Sequence, residues 1–294
     1  MKFRQIFFTQ FLLNALCVLI FVSCKEKVKE VSAIKADYME RVEAIIDSTA
    51  STVKARFTPP QGFARIAVEP ESFGYYLRNF PLLAIDQKVH LYNGNLKNDQ
   101  TVHASIFDID VGKRDLQQCA DAVMRLRAEY LLGQKKYSEI AFIFTNGWNF
   151  EYEKWKAGND LVVSGNKTYW KSSAAPKTSY KEFRKYMDQV FMYAGTLSLS
   201  KELKPKRLED IEIGDVFILG GSPGHAVLVI DVAENTSSGD KAFMLAQSYM
   251  PAQQIHVLKN KENSVLSPWY LLSEIDNRLF TPEWTFDADQ LMGF

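Results

Sequence analysis

Two residues in this sequence combine a type and a setting suited to covalent chemistry, Cys119 and His225. Cys119 stands in Asp115-Leu116-Gln117-Gln118-Cys119-Ala120-Asp121, where Asp115 followed three residues later by Gln118 fits a capping box. With Asp115 as the N-cap, Cys119 falls in the first turn or just beyond it. Unpaired backbone N–H groups and the positive end of the helix dipole there favour a thiolate and lower a thiol pKa well below its free value of about 8.5. His225 follows the turn-forming run Gly220-Gly221-Ser222-Pro223-Gly224 and opens the apolar strand Ala226-Val227-Leu228-Val229-Ile230. A neutral imidazole held rigidly at the mouth of a strand is a general base that can take a thiol proton near pH 7. Gln247, in register with Phe243 and Leu245 on the strand after that, is the candidate to orient the ring.

Each of these residues also has a plainer reading. Leu116, Cys119, Ala120, Val123, Leu126 and Tyr130 share one helical face, so Cys119 equally fits a small buried side chain. His256, in the strand 255–258, competes with Gln247 as the orienting residue. Asp231, His90 and His103 have weaker claims. A Cys119, His225 and His256 metal site lacks the short ligand pair that usually announces one, and Asp108 and Asp110 on one strand face read as solvated charges before they read as a cation site. The glycine run before His225 lacks a Gly-Lys-Ser/Thr ending and precedes a strand, so it is no phosphate loop. No cofactor is called for. Trp148, Trp155 and Trp170 suit a glycan or peptide groove or, by default, the core.

The elements that must position these groups follow from periodicity. A stripe from Ile34 through Tyr38, Val42, Ile45, Thr49 and Val53 to Phe57 predicts a helix over 33–57, ended by Thr58-Pro59-Pro60. A short helix is expected over 72–80, and strands over 88–92 and 98–111 about Asn93-Gly94. The strongest helix spans 115–132, and a strand over 138–145 ends at Asn146-Gly147. Residues 148–177 show no clean period and are read as a loop-rich insertion, followed by helix over 180–199. Strands are then expected over 216–219, 225–233, 241–249 and 254–258, with Trp284 and Phe286 pinning the C-terminal segment. This pattern is an α+β fold, helices first and an antiparallel sheet later, in one domain over 34–294.

The N-terminus is set apart from that domain. Lys2 and Arg4 precede an apolar run over residues 6–22, and Phe21-Val22-Ser23-Cys24 resembles a bacterial lipobox, in which the cysteine is lipidated and becomes the first mature residue. The expectation is a signal peptide over 1–23, a charged tether over 24–33, and a cell-envelope location on a bacterial membrane, the outer membrane first. Of 294 residues with 35 basic and 35 acidic side chains, the mature chain keeps 271, with 33 basic and 35 acidic and a formal charge of −2. Cys17 is removed and Cys24 is occupied by lipid, so Cys119 is the one free thiol, with no disulfide partner. A hydrophobic content of 47% with 24% charged residues excludes disorder and a multi-span membrane protein. The absent basic excess argues against a nucleic-acid partner.

Cys119 at a helix start, Gly214-Asp215 leading a strand, Gly224-His225 opening the next and Gln247 on the one after resemble the papain-like cell-wall hydrolases of the NlpC and CHAP types. That resemblance implies Cys119 as nucleophile, His225 as base and Gln247 as the orienting residue. The 106-residue separation of Cys119 and His225 is longer than in compact members, and the glutamine that papain places six residues before its cysteine is here Lys113, with Gln117 and Gln118 as the alternatives. Over nearly its whole length the chain is also similar to a family of bacterial lipoproteins catalogued as a domain of unknown function, on segments 115–121, 222–226 and 246–253. The expected function is a lipid-anchored cysteine hydrolase or amidase acting on a peptide-like, cell-wall substrate; the alternative is a non-catalytic envelope lipoprotein, a binding or scaffolding module on a degenerate papain-like fold.

Overall fold

The Val-rich stretch that begins at His225 becomes the axis of the fold. The structure, a computed structural model, describes residues 45–172 and 175–294. In chain order it contains α1 (Val53–Arg56), β1 (Phe63–Arg65), α2 (Phe73–Arg78), β2 (His103–Ile106), α3 (Cys119–Gly133), the hairpin β3 (Ala141–Ile143) and β4 (Asn149–Glu151), α4 (Tyr152–Lys156), and the hairpin β5 (Asn159–Ser164) and β6 (Lys167–Ser172). Then come α5 (Tyr180–Tyr193), α6 (Thr196–Glu202), β7 (Lys204–Pro205), β8 (Val216–Leu219), β9 (His225–Asn235), β10 (Lys241–Gln247), β11 (His256–Leu258), β12 (Tyr270–Leu271), the hairpin β13 (Arg278–Phe280) and β14 (Thr285–Asp287), and β15 (Leu291–Gly293).

The main sheet is antiparallel, in the order β2-β11-β10-β9-β8-β15-β7, with β1 also on β9 and β12 also on β10. Both of its faces are covered, which is why residues 226–230 read as an unbroken apolar run rather than an alternation. Leu228 and Ile230 face the larger core, shared with Val123, Met124 and Leu126 of α3. Val227 and Val229 face a second core with Phe217, Phe243 and Phe286. The polar break in β9, Asp231, is fully buried. Its carboxylate accepts from Arg65 Nε at 2.6 Å and Arg78 Nε at 2.8 Å, tying β1 and α2 to β9.

The four strands β8 to β11 follow the expected boundaries to within two residues, and the fold is α+β with a large antiparallel sheet. The order of elements is more mixed than helices first and sheet later, because β1 and β2 join the sheet ahead of α3, and α5 and α6 come after it. Of the helix expected over 33–57, residues 33–44 lie outside the described residues. The rest is mostly not helical: Ile45 is helical, but Asp47 caps a turn at Thr49, Ile46 bridges Phe57, and helix returns only in α1, capped by Thr52. The strand expected over 98–111 shrinks to β2, and Asn93-Gly94 makes its turn between bridged His90 and Leu96. Residues 148–172 are no loop. They form β4, α4 and the β5–β6 hairpin, with Phe150 stacked on Trp170 and on Tyr186 and Trp155 Nε1 donating to Glu182 O at 3.0 Å. The helix expected over 180–199 is broken at Ala194-Gly195, where α6 starts with its own cap. Among the described residues no helix is long and apolar enough to cross a membrane.

Candidate active site

The segments 115–121, 222–226 and 246–253 converge. Ala252 N donates to Asp115 Oδ1 at 2.7 Å, and the Ser248 hydroxyl lies between the carbonyl oxygens of Gln117, at 2.9 Å, and Gln253, at 2.8 Å. These contacts pin the start of α3 against the end of β10. Because Asp115 is engaged there, it does not cap the helix. Gln118 is the N-cap, its N–H donating to Asp121 Oδ2 at 2.9 Å, so the helix opens three residues later than expected and Cys119 is its first residue. The backbone N–H groups of Ala226, the residue beside His225, of Ala120 and of Cys119 itself act to favour the charged form of the thiol.

His225, 2% exposed at the head of β9, places Nε2 2.8 Å from Gln247 Oε1. The neighbouring contacts fix which atom carries which proton. Gln247 Nε2 donates to Glu283 Oε2 at 2.7 Å, and a carboxylate only accepts, so the amide oxygen of Gln247 faces His225 and the proton is on His225 Nε2. Nδ1 of His225 therefore carries the lone pair, and it makes no hydrogen bond among the described residues. Behind Gln247, His256 donates from Nδ1 to Gln254 O at 2.9 Å and turns its Nε2 lone pair to the second amide proton of Gln247, at 3.5 Å. Lys97 pairs with Glu283 and closes the chain.

The electrostatics differ from those of a preformed ion pair. Burial is the largest influence on Cys119 and Asp121 adds to it; together they outweigh the three N–H groups and push the thiol up to about 11. The lowered thiol pKa expected from the helix start alone is thereby corrected. Burial against Tyr249, Trp284 and Phe286, with ring centroids 4.9, 5.3 and 5.9 Å away, lowers His225 to about 4 despite the bond to Gln247. Burial likewise lowers His256 to about 3. At neutral pH the two groups rest as thiol and neutral imidazole.

A cleft of about 320 Å³ opens in front of Cys119, between Gln118, the 221–224 turn, Thr196 and Trp284. Gln118 lines it, with Nε2 only 3.3 Å from Asp115 Oδ1, whereas Gln117 is fully buried and accepts from Arg125 at 3.2 Å. Of the two glutamines, Gln118 is the one available to a bound carbonyl. Lys113 lines a neighbouring cavity instead.

A family model described as Domain of unknown function (4846) matches residues 53–293. The chain belongs to that family. No curated protein and no solved structure matches it. The matched 4846 domain contains Cys119, His225, Gln247 and Glu283; Cys24 and the apolar run before it lie outside the described residues.

Other candidates sit elsewhere in the 4846 domain. His256 supports Gln247 rather than replacing it. Asp231 serves Arg65 and Arg78, and His103 Nε2 lies 3.2 Å from Gln87 O. Asp108 and Asp110 are exposed, as solvated charges should be, and the two oxygens of Asp110 also meet the guanidinium groups of Arg125 and Arg184 at 3.3 Å. Among the described residues no group of three His, Cys, Asp or Glu side chains is placed to hold a metal ion. Glu283 and Lys97 escaped sequence reasoning, because nothing in their spacing links them to a glutamine on β10; adjacency to Trp284 was the one signal for Glu283.

Proposed function

We propose that this protein is a lipid-anchored cysteine hydrolase or amidase of the bacterial cell envelope, acting on a peptide-like substrate such as a cell-wall stem, with the papain-like division of labour among Cys119, His225 and Gln247. The observation that carries it is the tautomer imposed on His225. The Gln247 and Glu283 contacts leave the lone pair on Nδ1, at the start of the strand whose next N–H, that of Ala226, favours the charged form of the Cys119 thiol.

In this reading the substrate amide enters the cleft at Cys119. As sulfur bonds to the carbonyl carbon, its proton moves to His225 Nδ1 and the carbonyl π pair moves onto oxygen. The Cys119 N–H and the Gln118 side-chain amide donate to that oxyanion. Collapse expels the amine, which takes the proton from the imidazolium and leaves a thioester. Water then attacks the thioester, His225 takes its proton, and the acid departs as the thiol is restored. Gln247 holds the ring through both halves.

The burial of Cys119, 7% exposed, and its raised thiol favour a second reading, a non-catalytic envelope module in which Cys119 only packs. Alkylation separates the two: iodoacetamide modifies Cys119 in a His225-dependent way if the thiol is a nucleophile, and at a His225-independent rate if it is packing. Palmitate labelling of Cys24, lost in Cys24→Ala, tests the anchor.

A further inference from the structure

A second cavity, of about 420 Å³, adjoins the cleft at Cys119, and Leu116 and Phe191 line both. Four cations converge on it, Lys113, Arg114, Lys181 and Arg184, against two carboxylates, Asp110 and Asp188. Asp110 is already shared by Arg125 and Arg184, and burial raises the Asp188 carboxyl above its ordinary range. Lys113 and Lys181 have no ion-pair partner among the described residues, whereas Arg114 meets Met192 Sδ at 3.3 Å and its charge acts on Asp188 against the effect of burial. Arg184 Nη1 is buried with no acceptor. This local excess stands out in a chain of formal net charge zero.

We infer that this cavity is an anion subsite, taking a carboxylate or phosphate group carried by the same substrate whose amide reaches Cys119. Buried guanidinium N–H groups without acceptors are costly until an anion supplies them, and charge-assisted bonds from arginine give such a site both affinity and orientation. The shared walls at Leu116 and Phe191 let one molecule occupy both spaces. The link to the amide rests on the nucleophile reading above; the anion subsite itself does not.

The test titrates glutarate, its uncharged isostere glutaramide and inorganic phosphate into the full chain by calorimetry. Glutarate or phosphate is expected to bind at least about tenfold more tightly than glutaramide, more weakly as salt rises. Phosphate binding ahead of glutarate points to a phosphate-bearing substrate, the reverse to a carboxylate. Arg184→Gln is expected to weaken binding about tenfold or more. Lys113→Gln with Lys181→Gln, both at exposed positions where folding is not at stake, is expected to weaken it severalfold. Glutarate and phosphate both binding no more tightly than glutaramide, or anion binding indifferent to all three substitutions, overturns the proposal. Iodoacetamide labelling of Cys119 in the same variants keeps the two claims apart: anion binding with an inert thiol removes the hydrolase and leaves the subsite, and a His225-dependent thiol without anion binding does the opposite.

Discussion

Nε2 of His225 lies 2.8 Å from Oε1 of Gln247, and Glu283 takes an amide proton of the same glutamine at 2.7 Å. A glutamine can present either end to a histidine; the carboxylate behind it removes that freedom. The protein thus determines which ring nitrogen carries the lone pair, with a neutral amide as the group bonded to the ring.

Gln247→Leu removes the acceptor of His225 Nε2 and the amide donor of Glu283 Oε2, while Lys97 stays paired with Glu283. The expected outcome is a loss of about tenfold or more in Cys119 reactivity and about 1–3 kcal/mol in stability. Nitrogen NMR of His225 checks the cause: the wild type shows the Nε2-protonated tautomer, and the variant a mixture.

Gly224 is required by close approach. A Cβ there would stand 2.4 Å from Gly221 O, 2.5 Å from Thr196 Oγ1 and 2.8 Å from Leu219 O, two of them backbone atoms that cannot yield. Gly224→Ala is expected to destabilise by about 1–3 kcal/mol, and to cost Cys119 reactivity through displacement of His225, read from a urea midpoint and an alkylation rate in parallel.

Asp231 is far from the cleft in role though it shares β9 with His225. Asp231→Ala strands the Arg65 and Arg78 guanidinium groups in and around the core, an expected loss of about 3–5 kcal/mol in urea unfolding. In folded Asp231→Ala protein, the ratio of alkylation with and without His225 is expected to match the wild type.

Acid should unfold the protein partly through its histidines. Burial holds His225 near 4 and His256 near 3 when folded, below the value of about 6.5 for an unfolded histidine. As pH falls the unfolded chain takes up these protons first, so stability is full above pH 6.5 and drains toward pH 4, by up to about 3 kcal/mol for each ring. Between pH 6 and 4.5 the stability of His225→Ala is expected to depend on pH less steeply than the wild type, by about one proton.

What was legible in the sequence were features with a local cause. The strands from Val216 to Leu258 carried unbroken apolar runs between strong turns, and Gly224-His225 announced a strand mouth. The start of α3 was misread because two residues near it, Asp115 and Gln118, both suit an N-cap, and the choice is made by Ala252, 137 positions away, which claims Asp115. The thiol pKa was misread for a similar reason: a helix start is visible in sequence, but the burial that outweighs it comes from packing. Residues 148–172 hid short elements because their order comes from aromatic stacking around Phe150 rather than from a repeating face. Glu283 and Lys97 act through a bond to a side chain, which has no period at all.

The central claim, that His225 Nδ1 is the base for Cys119, is tested most directly by the pH dependence of Cys119 alkylation with iodoacetamide in wild type and His225→Ala. With the imidazole neutral above about 4 and the thiol ionising near 11, the wild-type rate is expected to be level from pH 5 to 7 and, at pH 7, at least about tenfold above the variant. The two curves should converge only as the thiol itself ionises. Superimposable curves across the whole range, each rising solely toward pH 11, would contradict the account and leave Cys119 a packed side chain.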